Sequence, residues 1–433
     1  FINLREVMTV MKERMDWTDI ARYFYLPDER LQEISRDFSA DIDRALAGEA
    51  GATVSAEKSY ASLPEGDETG VFLALDFGGT NVRASRIRLL GRHCYIIEKK
   101  VSRPLKVAGE YDYLSSSTTA VELFDFLARL VGKVARRGQS YRLGHAFSFA
   151  LERTGIEDGR LLAWSKEIAV SGVEGENVNA LLKAALVRQG LCDIEPVALV
   201  NDTTALLLSA SYTMDKVRVG MVCGTGFNAC YYEPEWKMIV NLEAGDYNGV
   251  TGHHWDEAVD AGSSQPGLHK LEKMMSGAYA SELFRQTLLT YFGVQELPPF
   301  TTEAMNAILR SEDDQQGRLT MGKLWNRIVR LEDVRPVRHI GASIFVRSAQ
   351  LVGAVGCGIL HHLYKERPIP NQTIAIDGSV LKYVRGALVM MEDAMQACQN
   401  EGPGREKQIS GDPILIQDGV SVGAAIAAAM SIR

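Results

Sequence analysis

A two-domain α/β architecture with a cleft between the domains is the fold class the sequence predicts, and three observations carry it. The chain has 433 residues, beyond the ~250–300 at which a single hydrophobic core stops growing. A strand, glycine tip and strand occur twice. The first runs from an apolar stretch at 71–75 through Gly78-Gly79 into the alternating stretch 82–88; the second runs from 217–223 through Gly224-Thr225-Gly226 into 228–232. After each hairpin, short apolar strands alternate with helical segments, the pattern of a layered α/β domain. Two related halves are implied.

Hydrophobic residues make up 46% and charged residues 24% of the chain, values of an ordinary globular protein that disfavour disorder and coiled coil. The net charge of −8 argues against nucleic acid or an anionic membrane surface as partner, so any anion site must be built from placed residues. Six cysteines lie far apart or inside apolar runs with no CxxC pattern, which predicts reduced thiols and a cytoplasmic location. The most apolar late stretch, 422–430, is far shorter than the ~20 residues of a membrane helix. Nothing reads as a signal peptide.

In chain order, residues 1 to about 50 carry helical spacing, with Leu31, Ile34, Phe38 and Ile42 on one face, and end near Gly48 and Gly51. With a connector at 52–69 they form an arm, 1–69, expected to pack on the larger domain. The first hairpin is followed by a helix at 121–134, a strand at 144–149, a polar segment at 152–159, a helix at 178–187 and a strand at 196–200 that ends in Asn201-Asp202. The second half has helices at 277–292, 301–310 and 343–361, a strand at 372–379 ending in a glycine turn, a helix to about Cys398, a Gly-rich charged loop at 400–413 and a last helix at 423–430. The expected small domain is 70–201 completed by the C-terminal helix 420–433; the large domain is 202–419.

Gly78-Gly79 lets backbone N–H groups approach a phosphate, Thr80 and Asn81 add polar contacts, Arg83 adds a fixed charge, and Asp76 is placed to hold hydrated magnesium. A single glycine hairpin is an ordinary turn. Two that face each other could clamp one nucleotide polyphosphate. Asp202, at the end of a buried strand, could take the proton of an attacking hydroxyl; Asn and Asp are equally favoured as helix caps, so the run fits either role. Glu243 and Glu272 taken singly read as surface acids, and Lys166 as a solvated lysine. The pairs His253-His254 and His361-His362 lack the i, i+4 spacing of a helical metal site and are read as structural or solvated.

The ordered motifs resemble the eukaryotic-type hexokinase family, as a single catalytic unit, from Leu75 to the C terminus. They are Asp76 to Arg83, Phe147-Ser148-Phe149, Trp164-Ser165-Lys166, Ser171-Gly172 with Glu174-Gly175, Leu199 to Thr203, Gly224-Thr225-Gly226 with Asn228-Ala229-Cys230-Tyr231, Asn241-Leu242-Glu243, Gln265-Pro266-Gly267, Glu272 to Tyr279 and Asp377-Gly378-Ser379-Val380. The resemblance implies an actin-like ATPase/sugar-kinase fold with a ribonuclease H-like motif in each domain. It implies ATP-dependent phosphorylation of a hexose, glucose first, at the 6-hydroxyl, giving hexose 6-phosphate and ADP as the first step of glycolysis. Asp202 would be the base, Lys166 and Arg83 would assist phosphoryl transfer, and Ser148, Ser165, Lys166, Asn201, Asp202, Asn228, Glu243 and Glu272 would contact the sugar. Asp76, Gly78, Gly79, Thr80, Asn81 and Arg83 would meet ATP from one side and Gly224, Thr225 and Gly226 from the other, with Gly378 and Ser379 near the adenosine. Magnesium would be held mainly by ATP oxygens and water beside Asp76. Monomer or homodimer both fit, and the alternative is a non-catalytic sugar sensor of the same family. Ala150, Phe227, Ala244 and Val422 depart from the family pattern, where Pro, Ser or Thr, Trp and a basic residue are usual.

Overall fold

The computed structural model describes residues 15–164, 168–326, 328–365, 369–399 and 411–431. Two sheets organise them. In the first, the strands lie in the order Ile194–Val200, Tyr141–Phe147, Thr69–Phe77, Asn81–Gly91, Cys94–Pro104. The three strands that come first in sequence are antiparallel neighbours, and the two later strands run parallel to the first of them. The second sheet repeats this plan as Met238–Asn241, Phe227–Glu233, Val217–Cys223, Gln372–Asp377, Gly411–Leu415. Equal strand order and direction in both halves is the ribonuclease H-like motif used twice. One further strand, Glu57–Lys58, pairs antiparallel with the edge of the second sheet.

The third strand of each sheet, Cys94–Pro104 and Met238–Asn241, has no place in the sequence expectation, because the first is charged and largely solvated and the second only four residues long. The connector likewise holds the short strand Glu57–Lys58, and the polar segment at 152–159 is a small hairpin of Leu151–Arg153 with Gly159–Leu161. Two- and three-residue strands carry too little alternation to be read.

Helix Asp202–Thr213 and the C-terminal helix Gly419–Met430 lie between the sheets and share one apolar cluster with Ala74, Ala146, Val200, Ile239 and Ala375. The small residues of the last helix allow that closeness. A Cβ on Gly423 would sit 1.7 Å from the Ala205 carbonyl oxygen, and one on Gly144 would sit 1.8 Å from that of Ala424. Val422 is fully buried there. Its apolar side chain packs the helix, so the usual basic residue could not be accommodated in solvent at this position.

The arm helix Asp28–Leu46 buries Leu31, Ile34, Phe38 and Ile42 and packs against the long helix Val334–Tyr364. Ser35 Oγ lies 3.2 Å from His361 Nδ1, and His362 bridges Asp43 (2.8 Å) and Glu233 (3.2 Å). The second histidine pair therefore ties the arm to the core. The long helix begins nine residues earlier than its apolar spacing predicts, because Pro336 falls in the first turn, where no intrahelical N–H bond is needed. It is long and apolar enough to cross a membrane, yet 89% of its most apolar window is buried inside the protein. It is a core helix. The segment after Gly378 splits into Ser379–Tyr383 and Ala387–Gln399, with Gly386 at φ 82° in the break. Residues 1–14 of the expected arm and 400–410 of the expected loop lie outside the described residues, whereas Gly411–Leu415 is a strand rather than loop.

Candidate active site

The first hairpin places Asp76 directly opposite Arg83, and Arg83 Nη1 donates to Asp76 Oδ2 at 3.0 Å. Between them Gly78 and Gly79 are half-buried and Thr80 is exposed at the tip, with Asn81 half-buried behind it. The second tip is braced from beneath: Gly277 N donates to Gly224 O at 2.7 Å and Ala278 N to Thr225 O at 3.0 Å. Gly226 faces Glu272, whose Oε2 accepts the Phe227 N–H at 2.8 Å. That bond is made by the backbone, so the departure at Phe227 leaves it intact. Gly378 has φ 112°, and a Cβ there would lie 2.2 Å from the Cys223 carbonyl oxygen. Only glycine permits this approach. It brings Gly378 and Ser379 against Gly224.

Asp377, at the end of its strand, is a site residue the sequence expectation omitted. Burial raises its carboxyl above the usual range and Asp202 adds to the rise, while the Gly378 N–H, Lys382 and Arg83 oppose it. Asp76 is raised in the same way, by burial first and then by Asp202 and Asp377 against the pull of Arg83. Three acids thus converge from the carboxyl ends of three strands, and that shared position was the available signal. Among the described residues no three His, Cys, Asp or Glu side chains sit closely enough to hold a metal by themselves. Carboxylates gathered in this way, without enough ligands for a bare ion, fit a hydrated cation brought in with its own phosphate ligands.

A polar network is joined to the helix start at Asp202 through Thr203, whose Oγ1 donates to Asn241 Oδ1 at 3.2 Å. Asn201 is the helix cap, its Oδ1 accepting from Thr203 N and Thr203 Oγ1, both at 3.0 Å. Asn201 is thus the cap, Asp202 Oδ1 also accepts the Thr203 N–H at 2.8 Å, and Asp202 opens the helix half-buried. Asn228 Nδ2 donates to Asn241 Oδ1 (3.0 Å) and Glu243 Oε1 (3.1 Å), and Asn241 Nδ2 donates to Glu243 Oε1 (2.6 Å). Glu243 is held in the left-handed region at φ 44°, a conformation that costs roughly 1 kcal/mol or more and persists where its surroundings fix it. Burial, then Glu57, Asp202 and Asp246, push its carboxyl up to about 7. Ala244, at the Trp position, is buried and donates its N–H to Asn228 Oδ1 at 3.1 Å.

Ser148 is buried between Phe147 and Phe149, in an aromatic cluster with Phe77 and Trp164; Ala150 beside it is exposed. Ser165 and Lys166 lie outside the described residues. The preceding Trp164 is anchored by bonds from its N–H to Glu174 (2.9 Å) and from Nε1 to Val170 O (2.8 Å).

One family model, described as hexokinase, matches residues 16–212, and a second of the same description matches 218–430. Hexokinase-9 of Oryza sativa subsp. japonica is 30% identical over 93% of this chain and 87% of its own length. The chain belongs to the hexokinase family. A hexokinase crystal structure aligns with TM-score 0.81 at 28% identity, and the Schistosoma mansoni hexokinase complexed with glucose aligns with TM-score 0.80 at 26%, each covering 96% of this chain and 98% of the other. The two-domain sugar-kinase fold and the assignment as an ATP-dependent hexose kinase follow. A sugar sensor without turnover is not favoured, since both phosphate hairpins and Asp202 are in place.

Proposed function

We propose that this hexokinase transfers the γ-phosphoryl group of Mg-ATP to the 6-hydroxyl of glucose, with Asp202 as general base. The observation that carries the reading is the position of Asp202, which acts electrostatically on Asp76 and Asp377 of the phosphate side and on Glu243 of the polar network. A base must stand where acceptor hydroxyl and phosphoryl group meet. Asn201, Asn228, Glu243, Glu272 and Ser148 would hold the sugar, joined by Ser165 and Lys166. Lys166 and Arg83 would lower the charge of the moving phosphoryl group. Asp76 would bind waters of the magnesium ion. Glucose bound to the Schistosoma relative supports the choice of hexose. The unpaired cysteines support a reducing, cytoplasmic setting.

In this reading the small domain is 70–201 with the C-terminal helix, and the arm 1–69 rides on the large domain 202–419. Ser148 then belongs to one domain and Asn228, Glu243 and Glu272 to the other, so the sugar is satisfied from both sides only in a closed cleft. Closure would also exclude water that could otherwise take the phosphoryl group. Small-angle scattering is expected to show a smaller radius of gyration on adding glucose; an unchanged radius contradicts closure of an open form. Chelating magnesium is expected to abolish glucose-dependent ADP release, and release that persists in excess chelator would contradict the Mg-ATP reading.

A further inference from the structure

The polar network does not end at Glu243. Asn241, itself buried, donates its Nδ2 to Glu243 Oε1 at 2.6 Å and to Glu57 Oε2 at 2.9 Å. One amide therefore holds two carboxylates, one from the network and one from the short strand that the connector adds to the sheet edge. Glu57 also shares the lining of a small cavity with Arg153, Asn201 and Asn241. Arg153 is held there by its own bonds, donating from Nη1 to Ser59 O at 3.4 Å and from Nη2 to the Leu199 carbonyl.

We propose that Glu57 is a positioning residue for the hexose site, acting through Asn241 to fix Glu243 and to govern how readily Glu243 remains an anion that receives a sugar hydroxyl. This rests on the reading of Glu243 as a sugar ligand. With Asn228 and Asn241 both donating to Oε1, the second oxygen of Glu243 accepts a sugar hydroxyl in a charge-assisted bond only while the carboxylate is ionised. The charges that face Glu243 are Glu57, Asp202 and Asp246, the last paired with His269. Those that face Glu57 are Arg153 and Asp246. Arg153 lowers the repulsion between the two acids without removing it, since burial and proximity still favour protonation of both.

The sign follows. As pH falls through about 7, Glu243 takes up a proton and hexose affinity drops. Removing the Glu57 charge while keeping its acceptor oxygen shifts that drop to lower pH. The test is glucose binding by calorimetry from pH 5.5 to 8.5, on the full chain and on Glu57→Gln and Glu57→Asp. Glu57→Gln is expected to lower the pH midpoint by about one unit, which is up to ~tenfold tighter binding than wild type near pH 6. Glu57→Asp, which keeps the charge, is expected to stay near the wild-type midpoint. A purely structural Glu57 would change the melting temperature and leave the midpoint where it is; equal midpoints in wild type and a folded Glu57→Gln protein overturn the inference. Absence of hexose binding at every pH in the wild-type chain overturns the sugar-site reading and the inference with it.

Discussion

Replacing Asp202 by Asn is expected to lower turnover roughly 10²–10⁴-fold, the range for losing a positioned general base, while glucose still binds. The amide keeps a hydrogen-bonding oxygen and the side-chain volume, and helix capping does not suffer because Asn201 supplies it. The loss should therefore fall on kcat and leave KM for glucose near its original value. Steady-state kinetics beside a glucose titration separates the two. A variant with near wild-type turnover would remove Asp202 from the chemistry and return it to a structural role at the helix start.

Gly423→Val is expected to be the most damaging packing change. The space a Cβ would take is already filled by the Ala205 carbonyl at 1.7 Å, and backbone cannot swing aside as a flexible side chain does. Overpacking a well-filled core costs typically ~1–3 kcal/mol and sometimes more; this contact belongs at the upper end, because relief means separating two helices that share one cluster with both sheets. Against a total stability of ~5–15 kcal/mol, the variant should melt far below wild type or fail to fold. Thermal melting decides it, and a melting temperature within a degree or two of wild type would mean that the last helix is not wedged between strand Tyr141–Phe147 and helix Asp202–Thr213.

The parts of the fold legible in the sequence were those with long periods. Helix Asp28–Leu46 and helix Ala120–Val134 present apolar stripes over several turns, and the two glycine hairpins repeat at corresponding places in the two sheets. The third strands were hidden because a solvated or four-residue strand has no burial pattern to print on its sequence. The start of the long helix was hidden by Pro336, which normally marks an end. At the site, Asp76 and Arg83 could be paired from hairpin register alone. Asp377 and Glu57 could not. Asp377 joins the cluster through a parallel crossover of well over a hundred residues, and Glu57 through an edge strand of two residues. Val422 departs from the family pattern for a packing reason that only the fold shows, since the closeness of Gly423 to Ala205 turns its neighbour into the core.

The most direct test of the central claim is the identity of the product. Glucose or 6-deoxyglucose is incubated with Mg-ATP and the purified chain, and phosphorus NMR follows the γ-phosphate. The expected result is glucose 6-phosphate and ADP in equal amounts from glucose, and no sugar phosphate from 6-deoxyglucose. Phosphate on any other hydroxyl, or release of inorganic phosphate in place of a sugar phosphate, would contradict transfer to the 6-hydroxyl at Asp202.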